Sequence, residues 1–438
     1  MDILALYHLF QQHPIVTTDT RKIAPGSLFF ALKGATFNGN QFAAQALSSG
    51  AAFAIIDDPA YQLNDRCIVV DDVLATLQVL ARYHRDQLQI PIIGITGTNG
   101  KTTTKELIFA VLSQKFATYA TKGNLNNHIG VPLSILEITS NTAIGIIEMG
   151  ANHVGEIAFL CSIAKPTCGL ITNVGKAHLE GFGSFEGVKQ AKGELYSWLE
   201  AHKGVVFLQR DNHHLLAMAN NRTFKHMITY GLDQHNQVSG TVTSSNPTLN
   251  LVWESVKTFG CSAKEISSNL TGAYNLENIL AAIAIGLYFG LSPEEINNGI
   301  RSYQPTNNRS QLVTTENNTI ISDYYNANAS SMRAALDNLA SMPHGKKAVI
   351  LGDMFELGKD APEEHRHIIE RVNAMDLYRS IFVGKDFYAQ KAKGNAANEF
   401  YETLDAAKEG LFASPIKDAL VLLKASRGMA FEGLLMHL

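Results

Sequence analysis

From Pro91 onward the chain alternates short apolar runs with amphipathic segments. "PIIGIT" (91–96), "AIGIIEMG" (143–150), "TCGLITNV" (167–174) and "GVVFLQ" (204–209) read as one group of strands. "KKAVILGD" (346–353), "RSIFVGKD" (379–386) and "DALVLLKA" (418–425) read as a second group. Continuous apolar runs, rather than strict alternation, mark strands buried on both faces, and helical segments between them supply the cover of a parallel sheet. The first ninety residues have a different texture, with "SLFFALKG" (27–34) and "AAFAIIDD" (51–58) as strands and a helix between them. A polar, Asn- and Ser-rich stretch at 233–250 reads as an insertion or hairpin outside the core, and the Pro/Asn cluster "QPTNNRS" (304–310) reads as a break. The pattern predicts an α/β protein of three domains, 1–88, 89–305 and 306–438. The central one is a parallel sheet of phosphate-loop type with helices on both faces, and the C-terminal one is Rossmann-like.

Length agrees, since 438 residues exceed one ordinary core. With 46% hydrophobic and 17% charged residues and a formal net charge of -4, the chain carries no electrostatic footprint for nucleic acid or an anionic membrane. Its longest apolar run, Ile279 to Leu291, is too short to cross a bilayer, and "MDILALYHLF" lacks a basic signal-peptide start. Cys67, Cys161, Cys168 and Cys261 show no metal-ligand spacing and read as reduced core residues. A cytoplasmic protein is expected.

Chemistry concentrates first in "GITGTNGKTTTKEL" (94–107), where an apolar strand runs into a glycine loop and then a helix with Leu107, Ile108, Val111 and Leu112 on one stripe. Glycines let the loop backbone of Thr98, Asn99 and Gly100 turn its N–H groups toward phosphate oxygens, and the helix start at Lys101, Thr102 and Thr103 adds its dipole. Lys101 would reach the β- and γ-phosphates of ATP, and the Thr102 hydroxyl would ligate Mg²⁺. Such a loop serves kinases, motors, switches and ligases alike. Ile95 stands where the general phosphate-loop pattern begins with glycine.

Glu148 closes the strand "IGIIE", well placed for Mg²⁺, although a solvated glutamate gives the same pattern. His178 follows the next strand and Lys192 falls in a helical pattern beside Lys189; by themselves they are ordinary. Asn275 and Asn278 share one helical face in "LTGAYNLEN", a pattern that capping also explains. Arg309 and Asp323 follow the domain boundary at residue 306.

"TGTNGKT" without the leading glycine resembles the loop of the Mur ligase family, which also includes folylpolyglutamate synthetases. The segments at 122–136, 148–157, 177–194, 323–336, 350–358 and 422–432 extend that resemblance in order, together with "TTDTRKIAPGSLFFALKGATFNGNQF" at 17–42. The likeness implies a ligase that uses ATP to join D-alanyl-D-alanine to a UDP-N-acetylmuramoyl tripeptide through an acyl phosphate. It further implies roles for residues. Lys101, His178 and Lys192 would be catalytic; Thr102, Glu148, His178 and Lys192 would hold two Mg²⁺ ions, with Lys192 carbamylated. Asn275 and Asn278 would meet the nucleotide, Arg309 the γ-phosphate and Asp323 the ribose; Tyr274 stands where the family usually has histidine. Thr20, Arg21, Lys33 and Asn40 would face the UDP end, and Asn124, Asn326 and Asn328 the peptide and amine acceptor, although Lys33 also fits a surface lysine and the last two also fit turns. The implied partners are small molecules and the implied state is a monomer. Two other readings stay open at this level: a ligase with another acceptor, or an ATP-binding switch.

Overall fold

The computed structural model describes residues 2–438 apart from 177–178, 221, 257–259 and 261–263. It contains three sheets. In the first, Val16–Thr17, Leu28–Phe30, Phe53–Ile56 and Cys67–Val69 run parallel. The helices Ile3–Gln12 and Val73–Gln87 cover one face, through Phe10, Leu77 and Leu80.

Among the described residues the central sheet has nine strands. Ile92–Thr96 sits between Ile144–Glu148 and Cys168–Ile171, and all three are buried along their whole length. Burial on both faces follows from alternation: Ile92 points into a layer with Leu160, Leu195 and Val206, while Ile93 and Ile95 point into one with Leu107, Ile108, Ile279 and Ile283. Thr118–Ala120 extends the sheet on one side, and Val205–Gln209, His226–Gly231 and Val238–Ser244 continue it in parallel on the other.

The polar stretch at 233–250 departs from expectation here. It does turn back as a hairpin, with Val238–Ser244 antiparallel to Asn250–Ser255, but the hairpin belongs to the core. Val238, Leu249, Leu251 and Trp253 are fully buried beneath the helix Asn275–Tyr288, and the Trp253 indole N–H donates to Asn297 Oδ1 at 2.9 Å. Serines and threonines of the outer face hide this inward stripe, because alternate residues of a half-exposed strand point to opposite sides.

The third sheet places Asn318–Asp323, Ala419–Lys424, Lys347–Gly352, Arg379–Val383 and Asn398–Tyr401 in parallel, with Gln311–Thr314 antiparallel at one edge. The helices Ala329–Ser341 and Ala361–Asn373 cover one face and Leu404–Ala413 the other. Residues 304–310, where the sequence breaks, carry no helix or strand. Cys67, Cys161 and Cys168 are free and buried; Cys261 lies outside the described residues. No helix among the described residues is long and apolar enough to cross a membrane. The carboxyl ends of the central and third sheets open onto one cleft, the position at which α/β sheets bind ligands.

Candidate active site

The cleft encloses about 880 Å³. Its floor is the phosphate loop between the strand Ile92–Thr96 and the helix Lys101–Leu112. Gly97 and Gly100 have φ of +146° and +77°, in the region that favours glycine. Side chains are excluded there for a second reason. A β-carbon on Gly97 would stand 2.0 Å from Thr172 Oγ1, and one on Gly100 would stand 2.7 Å from Asn278 Oδ1. The loop is clamped to the end of the neighbouring strand: the Thr98 N–H donates to Asn173 O at 3.0 Å, the Asn99 N–H to Asn173 Oδ1 at 2.9 Å, and Thr172 Oγ1 to Asn99 O at 2.6 Å. Lys101 Nζ donates to Gly97 O at 2.7 Å and Thr98 O at 3.1 Å, which holds the ammonium over the loop. Burial pushes the Lys101 pKa down, opposed by Glu148 and reinforced by Arg309.

Glu148 is 1% exposed at its strand end. Its Oε1 accepts from Asn126 Nδ2 at 2.8 Å, while Oε2 is buried with no hydrogen-bond partner. The nearest cation is Lys105 Nζ at 3.9 Å, itself anchored on Thr121 O at 2.7 Å. A buried carboxylate oxygen without a donor is strongly disfavoured unless a cation faces it. Hard oxygen ligands of this kind suit Mg²⁺.

Lys192, in the helix Phe185–Ala201, lies behind the cavity wall formed by Ala151 and is 2% exposed. Its Nζ donates to Ala151 O at 3.4 Å and lies 5.2 Å from the Phe182 ring centroid. Burial and the neighbouring Lys101 lower its pKa to about 7, against the pull of Glu156 and Glu194. Lys189 points elsewhere, to Glu186 at 2.5 Å. His178 lies outside the described residues.

The second wall is the start of the helix Asn275–Tyr288. Asn275 Nδ2 donates to Thr271 O at 2.7 Å, Asn278 Nδ2 to Asn275 Oδ1 at 2.8 Å, and Thr104 Oγ1 to Asn278 Oδ1 at 3.0 Å. This chain of bonds ties the phosphate-loop helix to the asparagine pair. The third wall comes from beyond residue 306: Arg309 stacks over Tyr325 at 3.8 Å from the ring centroid, with Nε buried and unpartnered. Asp323 Oδ2 accepts from the buried Lys424 Nζ at 2.6 Å.

The cleft therefore gathers Thr98 to Thr103, Asn124, Glu148, Asn275, Asn278, Arg309, Asp323, Asn326 and Asn328 from three distant stretches. Asn328 has a specific task, since it caps the helix Ala329–Ser341 through the Ser331 N–H at 2.9 Å and donates to Asn99 Oδ1 at 2.8 Å. Asn326 Oδ1 accepts from the next N–H, that of Ala327, at 2.9 Å. Thr20, Arg21, Lys33 and Asn40 do not line this cleft. Arg21 pairs with Asp19 at 2.8 Å on the surface, and Lys33 pairs with Asp57 Oδ1 at 2.8 Å. Asn40 is fully buried and bonded to Asn38 Oδ1, Asp57 Oδ1 and the Asp57 N–H, so it stands in the framework beneath Lys33 rather than on a ligand-facing surface.

Several residues of the cleft escaped the sequence reading. Asn126, Asn173, Ser310, Ser330 and Lys424 act through contacts with residues distant in sequence, and their local patterns are those of turns and strand ends. Asp353, His365 and Asp386 cluster at metal-like spacing, but His365 and Asp353 are already engaged: His365 Nε2 accepts the Met354 N–H at 3.0 Å, its other nitrogen bonds Ala361 O at 2.7 Å, and the Asp353 carboxylate accepts the Asp386 and Phe387 N–H groups.

Comparison with known proteins agrees with this geometry. Residues 14–85 match the profile described as Mur ligase family, catalytic domain; 95–286 match the Mur ligase middle domain; 308–427 match the Mur ligase, glutamate ligase domain. UDP-N-acetylmuramoyl-tripeptide–D-alanyl-D-alanine ligase of Bacillus subtilis is 36% identical over 434 residues, covering 95% of this chain and 91% of the relative. The enzyme of that name from Escherichia coli is 34% identical, with 95% and 92% covered. The crystal structure of MurF from Acinetobacter baumannii superposes with a TM-score of 0.87 at 29% identity, over 99% of this chain and 97% of that one. MurF ligase from Thermotoga maritima in complex with ADP gives 0.83 at 26% identity, over 100% and 98%. With relatives of this identity along nearly its whole length, the chain belongs to the Mur ligase family.

Proposed function

We propose that the chain is an ATP-dependent ligase joining D-alanyl-D-alanine to UDP-N-acetylmuramoyl tripeptide, a cytoplasmic step in building the peptidoglycan precursor. The observation that carries this reading is the meeting of phosphate loop, Glu148 and Arg309 in one cleft, in a chain whose full-length relatives bear that enzyme's name.

The tripeptide carboxylate attacks the γ-phosphorus, forming the acyl phosphate and releasing ADP; the dipeptide amine then attacks the acyl carbon and phosphate leaves. Two anions must approach, so the chain's work is chiefly electrostatic. Lys101 sits over the loop to meet the β- and γ-phosphates, and Arg309 faces the same charge from the C-terminal unit. Asn275 and Asn278 hold the nucleotide side, and Asp323 meets the ribose, oriented by Lys424. Thr102, Glu148, His178 and carbamylated Lys192 would hold Mg²⁺, which supplies charge neutralisation between carboxylate and polyphosphate. The carbamate forms when the neutral Lys192 amine attacks CO₂ and loses a proton, and the low pKa of about 7 supports a neutral amine near neutral pH. The unit of residues 1–88 binds the UDP end through Thr20, Arg21 and Lys33; residues 89–305 hold ATP; residues 306–438 close over it and receive the acceptor near Asn124, Asn326 and Asn328.

An oxygen-transfer experiment tests the route. Heavy oxygen placed in the tripeptide carboxylate should appear in the released phosphate, once per amide formed. Amide formed with the expelled label in AMP or in water, and none in phosphate, would exclude the acyl phosphate.

A further inference from the structure

Between the central and third sheets the chain passes through Asn308, Arg309 and Ser310, and the two flanking residues adopt φ of +56° and +52°. Asparagine tolerates this left-handed backbone, but serine rarely adopts it, so at Ser310 it persists where surrounding contacts hold it. The contacts come from both sides. Thr271 Oγ1 donates to Ser310 O at 3.1 Å, and the Tyr274 hydroxyl shares a hydrogen bond of 2.6 Å with Ser310 Oγ. From the other side the Tyr325 N–H donates to Asn308 O at 3.3 Å.

Tyr274 is itself fixed. Its ring folds back over Gly272, where φ is +84° and a β-carbon would stand 2.4 Å from the ring. Ser310 is 7% exposed and Thr271 fully buried, so water is a poor substitute for these bonds. What the segment presents is Arg309, stacked on Tyr325 with its Nε buried and unpartnered.

We propose that Tyr274 is a positioning residue that, through Ser310, locks the segment joining the two sheets in the backbone that aims Arg309 into the cleft. This rests on the reading of Arg309 as a contact of the transferring phosphate. It also gives the tyrosine at this position a task that follows from its reach: the phenol spans from the helix start to Ser310 and ties the closing unit to the nucleotide-binding one.

The test is a mutant cycle in the full-length protein, read by steady-state kinetics and by hydrogen exchange of the amides of residues 306–312. Tyr274→Phe removes the hydroxyl and keeps the ring over Gly272; Ser310→Ala removes its partner. Each should lower kcat roughly tenfold, since small misplacements of a positioned group have effects of that order or larger. KM for the UDP-linked tripeptide should not move, and amide exchange in the segment should rise. The double variant should be no slower than either single one, and Tyr274→Phe should have no further effect in an Arg309→Ala background. Additive losses, or a loss on Tyr274→Phe that persists without Arg309, would overturn the proposal. Unchanged exchange in Tyr274→Phe would overturn the lock alone, whereas full kcat in Arg309→Ala would overturn the assigned role of Arg309.

Discussion

Burial lowers the pKa of both Lys101 and Lys192, and the proposed mechanism gives them opposite tasks. Lys101 keeps Glu148 within electrostatic reach and hydrogen bonds to the Gly97 and Thr98 carbonyls, an arrangement that supports its proposed role as a cation. Replacing it with alanine removes a charge aimed at the developing transition state and should lower kcat on the order of 10²-fold or more, with the protein still folded. Near wild-type ligation by Lys101→Ala would remove the loop from the mechanism. Lys192 has one long hydrogen bond, to Ala151, and its pKa of about 7 leaves much of it neutral at physiological pH. The folded-state value is depressed from 10.5, so burying the ammonium destabilises the fold below about pH 7. That penalty is relieved as pH rises toward the unfolded value, because the unfolded chain then binds more protons. Carbamylation should follow the same direction. Enzyme stripped of CO₂ below pH 7 should regain activity on raising the pH with bicarbonate, and labelled bicarbonate should mark Lys192 by peptide mass analysis. Equal activity with and without bicarbonate, and an unlabelled Lys192, would contradict the assignment.

Single residues were legible in the sequence to the extent that their chemistry was local. Lys101 and Thr102 are candidates on the loop pattern itself, whereas Glu148 at its strand end fits a solvated glutamate equally well until the structure shows it buried. Arg309 and Asp323 could be placed only through resemblance, since an arginine in a polar loop and an aspartate after a strand carry no pattern of their own. Asn40 shows the reverse. Resemblance set it at the UDP end, and the structure has it buried and bonded to Asp57, which in turn pairs with Lys33.

At the scale of elements, the apolar runs from Pro91 to Gln209 marked the buried strands because both their faces are covered and no polar residue interrupts them. The stretch 233–250 reads as peripheral because the hairpin strand Val238–Ser244 turns one face to solvent, although its inner face joins the core. Trp253 tests how far that hairpin belongs to the core. Trp253→Ala removes a fully buried ring and its bond to Asn297, and should destabilise the protein by about 3–5 kcal/mol in urea titration. A change below about 1 kcal/mol would mean the hairpin is an appendage. The phosphate loop makes a sharper demand. Gly100→Ala combines a φ of +77° with a contact of 2.7 Å to Asn278, so the loop or the asparagine must move. ADP affinity measured by calorimetry should fall about tenfold or more, since left-handed backbone alone disfavours alanine by roughly 1–2 kcal/mol. Unchanged affinity would show that the loop adapts freely.

Across the whole molecule, the C-terminal unit touches the nucleotide loop directly. Asn99 Nδ2 donates to Ser330 Oγ at 2.9 Å, Ser330 Oγ donates to Asn328 Oδ1 at 2.9 Å, and Asn328 Nδ2 donates back to Asn99 Oδ1 at 2.8 Å. These residues lie some 230 positions apart, with separations of 229 and 231, so sequence patterns could not pair them. Each such bond contributes about 0.5–1.5 kcal/mol, so Ser330→Ala should raise KM for ATP roughly two- to tenfold and enlarge the nucleotide-free molecule in solution scattering. Identical scattering and KM would mean the contact is incidental to closure.

The central claim is that this cleft turns ATP hydrolysis into one particular amide bond. Phosphate release with UDP-N-acetylmuramoyl tripeptide and ATP, supplied with D-alanyl-D-alanine or with single amino acids, tests it most directly. Release that depends on both the nucleotide-linked tripeptide and the dipeptide is the predicted result. Release with a single amino acid but not the dipeptide, or ATP turnover indifferent to either substrate, would contradict it.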